Sequence, residues 1–238
     1  MKITPKKRRI IPKMSKDLLS KIADGRQYRN LKEIRTLEQT DTEEKSYKVT
    51  GYASTYNEPY TLYSDEDIEI REQVAPGAFD NADLSDVIMQ YNHEGRVFAR
   101  TRNHTLDLFS DNHGFGINAD LGGTEIGRQL YEEIQGGYTD RMSFGFTVDE
   151  DEVNETREKG KRTVYLRTIT QIGKLYDVSA VSIPANDGTE ISARSLIDGL
   201  IEKDKAERLV EAEKERRTKA LEETNNLIKQ FREVKDEP

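Results

Sequence analysis

Covalent catalysis in this chain has to use a nucleophile other than a thiolate, because its 238 residues include no cysteine. A serine hydroxyl stays protonated at neutral pH, so it attacks only when a base within hydrogen-bond reach takes its proton as the new bond forms. Histidine suits that role, and the chain has three, His93, His104 and His113. His93 follows the apolar stretch Val87-Ile88-Met89 and Tyr91, which places it at the end of a strand, firmly held yet accessible. Ser143 lies in an alternation that sets Met142, Phe144 and Phe146 against Ser143, Gly145 and Thr147. With the phenylalanines on the core, the serine points the other way, toward a cleft. Gly145 marks the close approach of another backbone, such as a substrate. His104 follows Asn103, and His113 sits in Ser110-Asp111-Asn112-His113-Gly114; both read as surface turn residues.

Other chemistries find no support in the spacing. The histidines include no pair at the H-E-x-x-H interval of a zinc hydrolase, so neither metal nor cofactor is expected. Gly114-Phe115-Gly116-Ile117-Asn118-Ala119 mimics a dinucleotide loop but reads on as strand instead of opening a helix. Ser64-Asp65-Glu66-Asp67 lacks the glycine and closing glutamate of a calcium loop. Arg141 stands where the G-x-S-x-G elbow of α/β-hydrolases needs its first glycine. A serine and histidine pair is defined by geometry, however, and not by chain order.

The elements that must position these residues are mostly strands. From Tyr47 the sequence turns β-branched and aromatic with turn signals between runs, predicting strands over 46–57, 66–74, 86–91, 105–110 and 114–121, then 140–148, 162–172 and 176–183. The charged run Asp149 to Lys161 reads as an exposed hairpin loop. Residues 124–135 place Ile126, Leu130 and Ile134 on one helical face, and Gly136-Gly137 stops that helix against the sheet. Residues 1–45 are polar, with a short helix expected over Asp17 to Ala23, and lack the apolar periodicity of a core; they read as an arm. The central segment 46–195 is the one domain of ordinary size. Residues 196–238 form a charged helical tail, in which Ala220, Thr224, Leu227, Phe231 and Val234 fall on alternating four- and three-residue steps, a seam for another helix.

Composition narrows the functional class. Hydrophobic and charged residues each make up 34% of the chain, too polar a balance for a wholly globular sequence, which agrees with the arm and tail. A net charge of −8 disfavours general nucleic-acid binding, since phosphate backbones reward clustered positive charge. The arm is the exception, with Lys2, Lys6, Lys7, Arg8, Arg9 and Lys13 and no acid among them; it could tether nucleic acid or an acidic partner. No signal-peptide core and no run of about 18 apolar residues occurs, so a soluble, cytoplasmic protein with no membrane partner is expected.

Three segments, Tyr91-Asn92-His93-Glu94, Arg141-Met142-Ser143-Phe144-Gly145-Phe146 and Leu175-Tyr176-Asp177-Val178-Ser179-Ala180-Val181-Ser182-Ile183-Pro184-Ala185-Asn186, resemble in order and wording the prohead (capsid maturation) serine proteases of tailed bacteriophages. Gly51-Tyr52-Ala53 and Pro76-Gly77-Ala78-Phe79 extend the resemblance over residues 47 to 195. The resemblance implies Ser143 as nucleophile, His93 as its base and Asp177, before Val178-Ser179, as third member. Asp177 is one methylene shorter than the glutamate expected there. The related herpesvirus maturation protease uses a second histidine, which keeps His104 and His113 as rivals. The implied fold is α+β and mostly β, a herpesvirus-protease-like open β-barrel with packed helices. The implied activity is cleavage of scaffold or major-capsid-protein segments, and of the protease itself, inside the immature capsid in the host cytoplasm, with self-association. A catalytically silent assembly or scaffolding protein built on the same core is the alternative, and a scaffold needs neither Ser143 nor His93.

Overall fold

The computed structural model describes residues 25–32, 34–37, 46–157, 161–182 and 193–235. The basic cluster from Lys2 to Lys13, the short helix expected over Asp17 to Ala23, and Ile183 to Asn186 lie outside them. The chain divides into two compact units, Met1–Arg194 and Ser195–Pro238.

Among its described residues, the first unit holds two open sheets, one α-helix and a single 3-10 turn. One sheet has seven strands: β1 (Gln27–Lys32), β4 (Tyr60–Ser64), β5 (Ile68–Val74), β6 (Ile88–Tyr91), β7 (Glu94–Arg100), β10 (Arg141–Thr156) and β11 (Thr163–Val181). The other orders its four strands β2 (Ile34–Thr36), β3 (Lys48–Thr55), β9 (Gly114–Asp120) and β8 (Leu106–Ser110) as β2-β3-β9-β8. The mostly β, α+β class expected is what the chain has, built as two open sheets, neither of them closed on itself. A single apolar cluster takes Val49, Phe115 and Ile117 from the four-stranded sheet and Met89, Phe144, Phe146 and Val178 from the seven-stranded one. Within it Phe79 stacks on Phe115 at 4.0 Å and Phe144 on Phe146 at 4.5 Å between ring centroids. Helix α1 (Glu125–Gln135) adds Leu130, Tyr131 and Ile134 to the core. Its first turn is capped by Thr124, whose side chain accepts the Gly127 N–H, and such a cap stabilises a helix by about 1 kcal/mol.

Strand β11 organises the larger sheet. Along one edge it pairs antiparallel with β10 for almost its whole length; along the other it pairs parallel with β5 over Thr163 to Ile169 and with β6 over Asp177 to Ala180. Two sequence expectations are overturned here. The charged run after Asp149 is not a loop: through Thr156 it continues β10, paired residue by residue with β11 after bulges around Thr147 to Asp151. Residues read as a coreless arm also supply strands, with Tyr28 and Ile34 buried on β1 and β2.

What fastens β1 is a buried ion cluster. Arg29 donates through Nε and Nη2 to Glu72 on β5, the latter at 2.9 Å, and Arg167 on β11 donates to the same carboxylate at 2.7 Å. The Tyr60 hydroxyl on β4 adds a bond to Glu72 at 2.6 Å, and Gln27 on β1 accepts from both arginines. Burial pushes the Glu72 carboxyl up, but Arg29, with Arg167 and Tyr60 behind it, holds it below the usual carboxylate range. Removing one partner from such a cluster strands the others without compensation. Glu72→Gln is accordingly expected to lower the unfolding free energy at pH 7 by about 3–5 kcal/mol, measured by denaturant titration. Because the folded value lies below the unfolded one, the stabilisation is present above the ordinary glutamate range, near pH 4.3, and is lost as pH falls through the folded value. The variant should lack that part of the acid sensitivity.

The second unit is helix α2 (Arg194–Lys235). Along it Ala220, Thr224 and Leu227, three residues of the expected seam, are exposed, and the Thr224 hydroxyl donates to the Ala220 carbonyl at 2.7 Å. The side chains of Phe231 and Val234 lie outside the described residues.

Candidate active site

Three neighbouring strands converge on the site. Tyr91 and Glu94 pair across a tight hairpin between β6 and β7, leaving Asn92 and His93 as its two turn residues. Both have positive φ, 50° and 60°, the requirement of the two-residue turn that matches strand twist. Asparagine tolerates that region readily, while a histidine there carries a backbone cost of order 1 kcal/mol that the surroundings must offset. Two bonds to β11 hold the turn: Asn92 N–H to the Ala180 carbonyl at 3.0 Å and His93 N–H to the Ser179 hydroxyl at 3.2 Å. Ser143 sits in β10, flanked by Asn30 of β1 and Ser179 of β11 in the strand register, and Asp177 pairs with Gly145.

The side chains meet. His93 Nε2 lies 2.6 Å from Ser143 Oγ, and His93 Nδ1 is hydrogen-bonded to Asp177 Oδ1. A carboxylate can only accept, so Nδ1 carries the imidazole proton and Nε2 presents its lone pair to the serine hydroxyl. Residues 50 and 84 positions apart in sequence thus form one chain of bonds. The histidine ring is also packed edge-on against Tyr28 of β1, with ring centroids 4.4 Å apart. All of it is interior: Ser143 is 0%, Asp177 1% and His93 6% exposed. The serine is buried and does not face the open cleft that the strand alternation suggests.

Gly145 is required by its neighbours within the fold. A Cβ there would collide with the Asp177 carboxylate and the Tyr28 ring, so the glycine makes room for those two side chains. The rival histidines lie elsewhere. His104 is an exposed residue at φ 59° ending a one-turn 3-10 helix (Thr101–Asn103). His113 is exposed in a turn, its ring 4.5 Å from that of Tyr52. Arg141 pairs with Asp140 at 3.8 Å, both partly exposed. Sequence reasoning missed Tyr28 and Ser179. Tyr28 is hidden in a polar segment, whereas Ser179 could have been found, since it stands two residues after Asp177 and shares its strand face.

A hydroxyl, an imidazole and a carboxylate bonded in series, in a mostly β chain, is the arrangement with which serine hydrolases perform acyl transfer. The chain belongs to the caudovirus prohead serine protease family, whose model matches residues 32–200. Among solved structures it is similar to the capsid assembly protease gp21 of bacteriophage T4, at 11% identity and a TM-score of 0.33, with 67% of this chain and 99% of that chain covered. Comparison with curated proteins finds no match.

Proposed function

We propose that the protein is a serine endopeptidase that cleaves scaffold or capsid-protein segments, and itself, inside the immature phage capsid in the host cytoplasm. Family membership supports the capsid setting, and one observation carries the chemistry: the 2.6 Å contact of His93 Nε2 with Ser143 Oγ, continued from Nδ1 to Asp177. In this reading His93 takes the hydroxyl proton as Ser143 attacks the scissile carbonyl. The same imidazolium then protonates the leaving amine, which splits peptide hydrolysis into acylation and deacylation by water. Asp177 holds the tautomer and stabilises the imidazolium.

Ser143 is the hydroxyl with the base on it, so a fluorophosphonate should phosphonylate the folded protein there and nowhere else. The Ser143 Oγ–P bond forms, fluoride leaves and His93 Nε2 takes the proton. Peptide mapping by mass spectrometry locates the adduct, and mass measured during incubation follows self-processing. An adduct at another residue, or none on a chain that processes itself, would overturn the assignment.

A further inference from the structure

One hydroxyl near the site is not accounted for by acyl transfer itself. Ser179 is 0% exposed, sits directly across the strand register from Ser143, and directs its hydrogen bonds to both other members of the site. Its Oγ–H donates to Asp177 Oδ1 at 3.0 Å, and its Oγ accepts the main-chain N–H of His93 at 3.2 Å. A serine hydroxyl has one donor, and here that donor goes to the carboxylate oxygen that also receives His93 Nδ1. The bonds therefore close a ring: from the His93 backbone through Ser179 to Asp177, and back to the His93 imidazole.

That ring does something no linear set of bonds does, because it ties the imidazole to its own main chain. Left alone, a histidine in a hairpin turn rotates about two side-chain torsions, and the positive φ of His93, 60°, adds a backbone state that must be held. The second anchor of the turn, Asn92 N–H to Ala180 O, is backbone to backbone and exists for any sequence. The Ser179 bond exists only with a hydroxyl at that position. We infer that Ser179 is a positioning residue of the acyl-transfer site: it fixes the Asp177 carboxylate and the His93 turn together, so that Nε2 stays on Ser143. It touches no substrate. The inference rests on the assignment of Ser143, His93 and Asp177 above.

The test compares Ser179→Ala, which removes the hydroxyl, with Ser179→Cys, which keeps the size and a weaker donor. Two quantities are read on the full chain: the rate of phosphonylation by a fluorophosphonate, and the proton NMR signal of His93 Nδ1–H, identified by its loss in His93→Ala. Losing a hydrogen bond to a buried charged group corresponds to roughly 10–100-fold, so Ser179→Ala should label that much more slowly. Its imidazole proton should move upfield or broaden, and Ser179→Cys should fall between alanine and the parent in both. Thermal unfolding of each variant shows that the fold is kept. Labelling of Ser179→Ala within about twofold of the parent, or slowed labelling with an unchanged His93 proton, overturns the positioning role. If instead the parent protein labels away from Ser143, the catalytic assignment fails first. The His93 proton still reports on its own whether Ser179 holds the imidazole to Asp177.

Discussion

Replacing Ser143 with alanine is expected to lower peptide hydrolysis and self-processing by about 10⁴–10⁶-fold, the scale on which removing a serine nucleophile acts. The reason is local. The bond from His93 Nε2 ends on this hydroxyl, and Ser179, the next hydroxyl in the site, already donates to Asp177 and so has no proton facing the base. Thr147, two positions beyond Gly145, accepts the Lys174 N–H at 3.1 Å and belongs to the pairing of β10 with β11. The fold should survive, since the change removes one oxygen while Asn30 and Ser179 still flank the strand by backbone pairing. His93→Ala should be about as severe, and the double variant no worse than either single one, because the two side chains act as one unit. Rates are read by single-turnover cleavage and by phosphonate labelling. Cleavage by the Ser143→Ala variant at more than about a thousandth of the parent rate would remove Ser143 from the mechanism.

Much of this site was legible because short motifs and strand alternation point the same way. Ser143 falls opposite the core-facing Phe144 and Phe146, and the apolar run before Tyr91 places His93 at a strand end. Period-2 patterning says which face a residue takes but not what covers that face, so it could not reveal that Ser143 is fully buried or that β1 pairs beside β10. The strand β1 itself was invisible for a physical reason. Gln27, Arg29, Asn30 and Lys32 are polar, and Arg29 is buried by charge pairing with Glu72 over 43 residues of sequence separation, a partner that no local window contains. The run after Asp149 failed in the same way. Apart from Val153, the residues from Glu150 to Thr156 are polar on both faces, and only the register with β11 makes them strand. Helix α1 was read to within one residue at its start because its cap, its apolar face and its terminating glycines are all local. The order of strands in the larger sheet follows from pairings between distant strands, β5 and β6 both parallel to β11, which sequence spacing does not encode.

Asp177→Asn tests whether the third member is a carboxylate, and a loss of about 10³–10⁴-fold is expected. The substitution changes almost no volume, so the packing around the side chain is kept. What changes is the partner of Nδ1. An amide NH₂ turned toward it donates, which forces the imidazole proton to Nε2 and leaves no lone pair for the Ser143 hydroxyl. The negative charge that would stabilise the imidazolium is also gone, in a site buried enough for that charge to count. By contrast, His104→Ala and His113→Ala should each leave the rate within about twofold, since one residue ends a surface turn and the other packs on Tyr52. The three variants separate a carboxylate site from a two-histidine site in one series of labelling rates. If His104→Ala or His113→Ala proves as damaging as His93→Ala in a protein that still unfolds cooperatively, while Asp177→Asn stays near the parent rate, Asp177 is not the group that orients the base.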